Sequence, residues 1–266
     1  MFKQRLLTTV ILVPLVLFAI YYAPNWVFSG FVLLLMLACG FEWLGLIPIA
    51  SLPSKIAFLV LLLAAACLSY YIFYYWLALG LLLWVFILAA IVLFPRSQTV
   101  WGYSWIVAGA CLLLLPLFAQ SMMAIYKQEQ GKDLIVYLLF LVWATDIGAY
   151  LAGKQWGRHK LIPSVSPGKT VEGASGGFIL SMLVACCGYY YFQPRVGLVH
   201  WFNIGIATTL ISMIGDLFIS MLKRRAKLKD TGRLIPGHGG VLDRLDSLLA
   251  ASPLFYWGLY VLAPGI

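Results

Sequence analysis

Residues 55–94 read KIAFLVLLLAAACLSYYIFYYWLALGLLLWVFILAAIVLF, a stretch in which Lys55 is the only charge. It holds two apolar runs of about 20 residues, the helical length that crosses a hydrocarbon core of about 30 Å. In lipid every backbone N–H and C=O must be satisfied within its own segment, so such runs specify helices and not open strands. A transmembrane barrel would show short alternating segments instead. Similar runs recur along the chain, punctuated by polar residues, Pro and Gly. They predict nine helices, near 6–23, 27–47, 55–73, 75–94, 102–119, 134–152, 173–192, 199–222 and 247–263. The weakest division falls between the third and fourth, since Ser69 to Trp76 holds no charge, Gly or Pro. The expected fold is all-α, a polytopic integral membrane protein.

Composition agrees with this reading. Of 266 residues 63% are hydrophobic and 10% charged, with a mean hydropathy of +0.97. Soluble domains carry roughly 25% charged residues, so an ordinary cytosolic enzyme, a disordered chain and a disulfide scaffold are all excluded. The cysteines at 39, 67, 111, 186 and 187 fall inside apolar runs and read as packing residues. The N-terminal MFKQRLLTTV resembles a secretory signal, but no small-residue cleavage site follows, so an uncleaved first helix is expected.

Lys and Arg are retained on the cytoplasmic side of membranes, which orients the spans. With the N-terminus inside and nine spans, fifteen of the eighteen cations are cytoplasmic, and Lys127, Lys132 and Arg195 alone lie outside with the C-terminus. The net charge of +9 therefore lies beside membrane spans, which favours phosphates of lipid or nucleotide over nucleic acid as partners. Acids are unevenly placed: residues 1–130 hold only Glu42 and Glu129, whereas 131–266 hold the other seven. The first part, about five helices, reads as a lipid-embedded scaffold. The second reads as the catalytic part, with cytoplasmic loops at 153–173 and 222–247.

The densest polar stretch is Ser220 to Ser247, SMLKRRAKLKDTGRLIPGHGGVLDRLDS. Six cations from Lys223 to Arg233 precede Pro236-Gly237-His238-Gly239-Gly240, a turn whose glycines let the backbone approach a ligand closely. Asp243 and Asp246, three apart, share one face of the first turn if the last helix begins near Leu242. Asp216 lies in the preceding span, where an ionised acid is costly unless paired or bound to a cation. Such hard oxygen ligands suit Mg²⁺, and acids with cations together describe a metal-assisted phosphate-transfer site. The plainer readings are that the cations, Arg225 and Lys227 among them, mark topology, that Asp230 pairs with Lys227 or Arg233, and that Asp243 pairs with Arg244.

The second loop contains Ser166-Pro167-Gly168-Lys169-Thr170-Val171-Glu172-Gly173. Its Gly-Lys-Thr fails as a P-loop, since that motif needs Gly where Pro163 stands. Thr170, or Ser166 with Pro167, is suited to cap the next helix, while Lys169 and that helix N-terminus are suited to a phosphate. Asp146, inside the sixth span, either lines the same polar cavity with Glu172 or neutralises a buried cation.

The run Ser220-x-x-Lys223-Arg224-x-x-x-x-Lys229-Asp230-x-Gly232-x-x-Ile235-Pro236-x-His238-Gly239-Gly240-x-x-Asp243-Arg244-x-Asp246 resembles the signature of the phosphatidate cytidylyltransferase, or CDP-diacylglycerol synthase, family. Ser166-Pro167-x-Lys169-Thr170-x-Glu172-Gly173 and the Gly215-Asp216 step resemble it too, over about residues 143–250. The resemblance implies transfer of CMP from CTP to phosphatidic acid, giving CDP-diacylglycerol and pyrophosphate for phospholipid biosynthesis. It implies Mg²⁺, with a second cation at the same centre, held by Asp216, Asp243 and Asp246. Ser220, Lys223, Arg224 and Lys229 would then meet phosphates, with Lys169 approaching from the other loop. His238, Gly239 and Gly240 would close over the triphosphate, and Asp230, Arg244, Thr170, Glu172 and Asp146 would complete the substrate site.

A bacterial inner membrane, with the site facing the cytoplasm, is the expected location, and the apolar faces of the acid-poor first part leave room for a homodimer. Three alternatives stand beside this reading: an ion-coupled transporter using Asp146, Asp216 and Glu172, a scaffold that binds anionic lipid, and a CTP-dependent lipid kinase or related enzyme with another lipid-phosphate acceptor.

Overall fold

A computed structural model describes residues 13–47, 51–232, 234 and 239–262. His238, expected at the site, and the first twelve residues lie outside the described residues. The elements are α1 (Val13–Tyr22), α2 (Asn25–Trp43), a 3₁₀ turn (Leu44–Leu46), α3 (Leu52–Tyr71), α4 (Phe73–Val92), α5 (Gln98–Trp101), α6 (Ser104–Tyr126), α7 (Gly131–Trp156), β1 (Lys160–Ile162), β2 (Ser166–Thr170), α8 (Val171–Phe192), α9 (Leu198–Arg225) and α10 (Leu242–Trp257), which ends in a π-helical turn (Gly258–Leu262). The protein is an all-α polytopic membrane protein. Among the described residues seven helices, α2 with its 3₁₀ turn, α3, α4 and α6–α9, are long and apolar enough to span. Of the first expected span the described residues form α1, and the last appears as the 16-residue α10 with its π turn.

Local chemistry sets several boundaries. Ser51 caps α3 by accepting from the Ser54 amide at 3.3 Å, with a proline in the first turn. At the weakest division the chain leaves helical geometry at the single residue Ile72 (φ −118°, ψ 36°), so third and fourth helices are distinct. The expected polar loop 153–173 is more ordered than the sequence suggests. Helix α7 runs on to Trp156, and β1 and β2 form an antiparallel hairpin, so the fold carries one small sheet beside its helices.

Helix α6 is the most enclosed of the seven, about two thirds of its apolar stretch being buried, and α2, α3, α7 and α10 pack around it. Trp43 donates its indole N–H to the Val107 carbonyl at 3.1 Å, tying α2 to α6. Phe218 of α9 is fully buried against Trp43, Trp84 and Trp101, with ring centroids 6.2, 5.7 and 5.1 Å away. Aromatic contacts of this kind add to simple burial. They fix the part of α9 that carries Asp216 and Ser220.

Helices α7 and α8 pack through small residues, the arrangement that lets spanning helices approach to backbone contact. A Cβ on Gly148 would lie 2.5 Å from the Gly176 carbonyl oxygen, and one on Gly177 would lie 2.5 Å from that of Thr145. Only glycine fits at either place. This close approach brings Asp146 of α7 beside the Lys169-Thr170 segment that enters α8.

Candidate active site

Two polar clusters occupy the same end of the bundle. The first surrounds a cavity of about 400 Å³ between α7, the hairpin, the start of α8 and α9. Asp146 and Tyr150 line it from α7, Gly168, Lys169 and Thr170 from β2, and Asp216 from α9. Lys169 Nζ lies 2.5 Å from Asp216 Oδ2, and Ser220, one turn on, points its hydroxyl at Asp216 Oδ1 across 3.5 Å. Asp246 is buried behind this pair and accepts from the Ser247 amide at 2.8 Å. It lies near enough for its charge to act on those of Asp216 and Asp146, and Arg244 is near enough to attract Asp146. Three carboxylates therefore share this region with the ammonium of Lys169.

Thr170 caps α8, its hydroxyl accepting from the Gly173 amide at 3.1 Å. Glu172 turns away from the cavity and holds the hairpin: it accepts from the amides of Arg158 (3.1 Å) and His159 (3.2 Å) and meets His159 Nδ1 at 2.6 Å. The expected sharing of one cavity by Asp146 and Glu172 is thus realised for Asp146 alone, because Glu172 sits in the first turn of α8 on the hairpin side. Arg224 donates to the Val165 carbonyl at 3.2 Å and so braces the hairpin against α9. Arg225 donates to the carbonyls of Leu46 (3.0 Å) and Gly102 (2.6 Å), joining the end of α9 to the ends of α2 and α5.

The second cluster is the entrance to α10. Asp243 Oδ1 accepts from Lys223 Nζ at 2.7 Å, while Oδ2 accepts from the Thr231 amide (2.8 Å), the Thr231 hydroxyl (3.0 Å) and the Gly240 amide (3.1 Å). Asp243 precedes the apolar part of α10. Burial works against its charge, but the hydrogen bonds from Lys223 and the two amides outweigh it and hold the carboxyl below the usual carboxylate range. Gly239 takes a positive φ of +86°, which a side chain would strain, and brings its backbone close to Asp243 and Asp230.

Glu42, at the end of α2, also reaches this loop, accepting from the Leu242 amide at 2.8 Å. The sequence pointed to a scaffold role for the N-terminal half, and this contact was not expected from it. An acid one turn before the end of an otherwise apolar span was the available signal.

Among the described residues no group of three or more His, Cys, Asp or Glu side chains converges on one metal position. The three acids expected to hold Mg²⁺ are divided: Asp216 and Asp246 are neighbours, and Asp243 is engaged by Lys223. Mg²⁺ is usually held by one or two carboxylates together with substrate phosphates and water. Asp216, beside a cavity and already facing a cation, fits that pattern, with Asp246 behind it.

Comparison with known proteins gives a consistent result. The profile of the cytidylyltransferase family matches residues 3–262. A phosphatidate cytidylyltransferase of Pseudomonas aeruginosa is 33% identical over 259 residues, covering 96% of each chain. One from Haemophilus influenzae is 37% identical over 191 residues, 67% of this chain and 66% of the relative, and one from Staphylococcus aureus is 39% identical over 155 residues, 57% and 59%. With a match that runs nearly end to end and a polar site assembled from α7, α9, α10 and the hairpin, the chain belongs to the cytidylyltransferase family.

Proposed function

We propose that this protein transfers CMP from CTP to phosphatidic acid, giving CDP-diacylglycerol and pyrophosphate. The observation that carries the reading is the grouping of Lys169, Asp216 and Asp146 around one cavity, with Asp246 buried near enough to feel their charges and Lys223 and Asp243 paired at the entrance to α10. The phosphate monoester of the lipid attacks the α-phosphorus of CTP in line, and pyrophosphate leaves. Two anions must be brought together for this, so positioning and charge neutralisation supply most of the catalysis.

Lys169 reaches the cavity from β2 and is placed to release Asp216 for a substrate phosphate. Ser220 lies one turn further along α9, on the same face. Lys223, at the end of α9, and Lys229, in the segment that follows it, would meet the pyrophosphate portion. Asp216, with Asp246 behind it, would hold Mg²⁺, which when bound neutralises the phosphates and aligns them. A second cation would sit at the same centre. No strong general base is required, because the second ionisation of a phosphate monoester lies near neutral pH (about 6). The acyl chains stay in lipid while the headgroup enters sideways, past the exposed Ile147 and Tyr150 of α7.

The site would face the cytoplasm of a bacterial inner membrane. The test is incubation of purified protein with phosphatidic acid, Mg²⁺ and CTP labelled at the α-phosphate. Label is expected in the lipid fraction, abolished by chelation, restored by Mg²⁺ and lost in Asp216→Asn. An intact wild type that never labels lipid refutes the reaction, and labelling that survives Asp216→Asn refutes the site.

A further inference from the structure

We propose that Glu42 is a positioning residue for the transfer, fixing from the N-terminal half the entrance to α10, whose first turn carries Asp243. The inference rests on the activity proposed above. Glu42 is 4% exposed, and a buried carboxylate is costly unless donors meet it. Its Oε2 accepts from the Leu242 amide at 2.8 Å and faces the Thr231 hydroxyl at 3.4 Å. Thr231 belongs to the connection after α9 and Leu242 opens α10, so Glu42 ties that connection to the start of the helix. The same connection is held by Asp243, through the Thr231 amide and hydroxyl and the Gly240 amide. Two carboxylates, one from each half of the chain, thus clamp one loop, and Asp243 continues the connection to Lys223.

Packing reinforces the clamp. A Cβ on Gly232 or Gly240 would overlap the Glu42 carboxylate, so the backbone rests directly on it. Oε1 is sealed from solvent and has no hydrogen-bond partner. A substrate therefore does not reach this oxygen, and Glu42 acts through the loop. Beside it a cavity of about 460 Å³, bordered by Phe41, Lys55 and Leu234, offers the loop a place to collapse once the clamp is gone.

The test uses the full-length protein in detergent, reading amide hydrogen exchange by mass spectrometry together with lipid labelling. Glu42→Ala is expected to raise exchange at Thr231 and over 240–243 while α7 and α8 keep theirs. Its kcat should fall by about 100-fold, the effect of an ångström-scale misplacement, with KM for phosphatidic acid unchanged. Glu42→Gln keeps a carbonyl oxygen for the Leu242 amide and should recover loop protection and most of kcat. Wild-type exchange and turnover in Glu42→Ala overturn the proposal, as does a Gln variant no better than Ala. If Glu42→Ala does not fold, Glu42→Asp, which draws the carboxylate back from the Leu242 amide by one methylene, takes its place, and unchanged exchange in that variant overturns the proposal equally. A wild type that transfers no label, with a loop still loosened by Glu42→Ala, upholds the clamp and refutes the reaction.

Discussion

Asp243 shows how much one carboxylate can organise. Its two oxygens receive an ammonium, two backbone amides and a hydroxyl, and its side chain is only 7% exposed. Removing one partner of a buried ion pair typically costs about 3–5 kcal/mol, because the other charge is left uncompensated. Asp243→Asn keeps one oxygen for the amides but abandons Lys223, itself 17% exposed. The variant is expected to unfold at a lower temperature in detergent and to lose most lipid labelling, and pairing it with Lys223→Met should recover part of the lost stability but none of the activity. Asp216 contrasts with it. Its side chain is 32% exposed and faces the cavity, and its partner Lys169 is 28% exposed, so Asp216→Asn should cost activity with little loss of stability.

At the scale of elements, the contact of α7 with α8 governs the first cluster. Asp146 is carried by one helix and Lys169-Thr170 leads into the other, so their separation depends on how closely the helices approach. Gly177 permits that approach, since any side chain there meets the Thr145 carbonyl. Gly177→Val is expected to destabilise the protein by about 1–3 kcal/mol, the usual cost of overpacking, and to lower transfer further than its loss of stability explains. Thermal unfolding and initial rates measured on the same preparation separate the two effects. The sequence marked this segment as polar and cap-bearing, and Thr170 does cap α8. It did not show the hairpin, because Lys160–Ile162 and Ser166–Thr170 are too short to display an alternating pattern and pair only with each other.

For the whole molecule, the seven long apolar helices among the described residues make an integral membrane protein, and the retention of Lys and Arg on the cytoplasmic side predicts which way it is oriented. The cationic ends gather with both polar clusters. Arg225, the hairpin and the end of α2 all meet near the end of α9. With the five native cysteines replaced, Lys229→Cys is expected to react with an impermeant maleimide from the cytoplasmic side and Arg195→Cys from the opposite side, read by labelling of oriented vesicles. The reverse pattern would overturn the orientation.

The sequence by itself determined the membrane class and nearly all the helices, because a hydrocarbon solvent imposes length and apolarity on each span separately and local composition carries that information. It also determined which acids and cations cluster along the chain, from which the family resemblance followed. Only the tertiary structure decided how those residues divide. Asp243 turned to Lys223, Asp216 to Lys169, Glu172 to the hairpin, and Glu42 crossed from the other half to the entrance of α10. Each of these pairings links residues far apart or on different elements. Which of many available partners a buried charge meets is set by the packing of whole helices, and no local pattern records it.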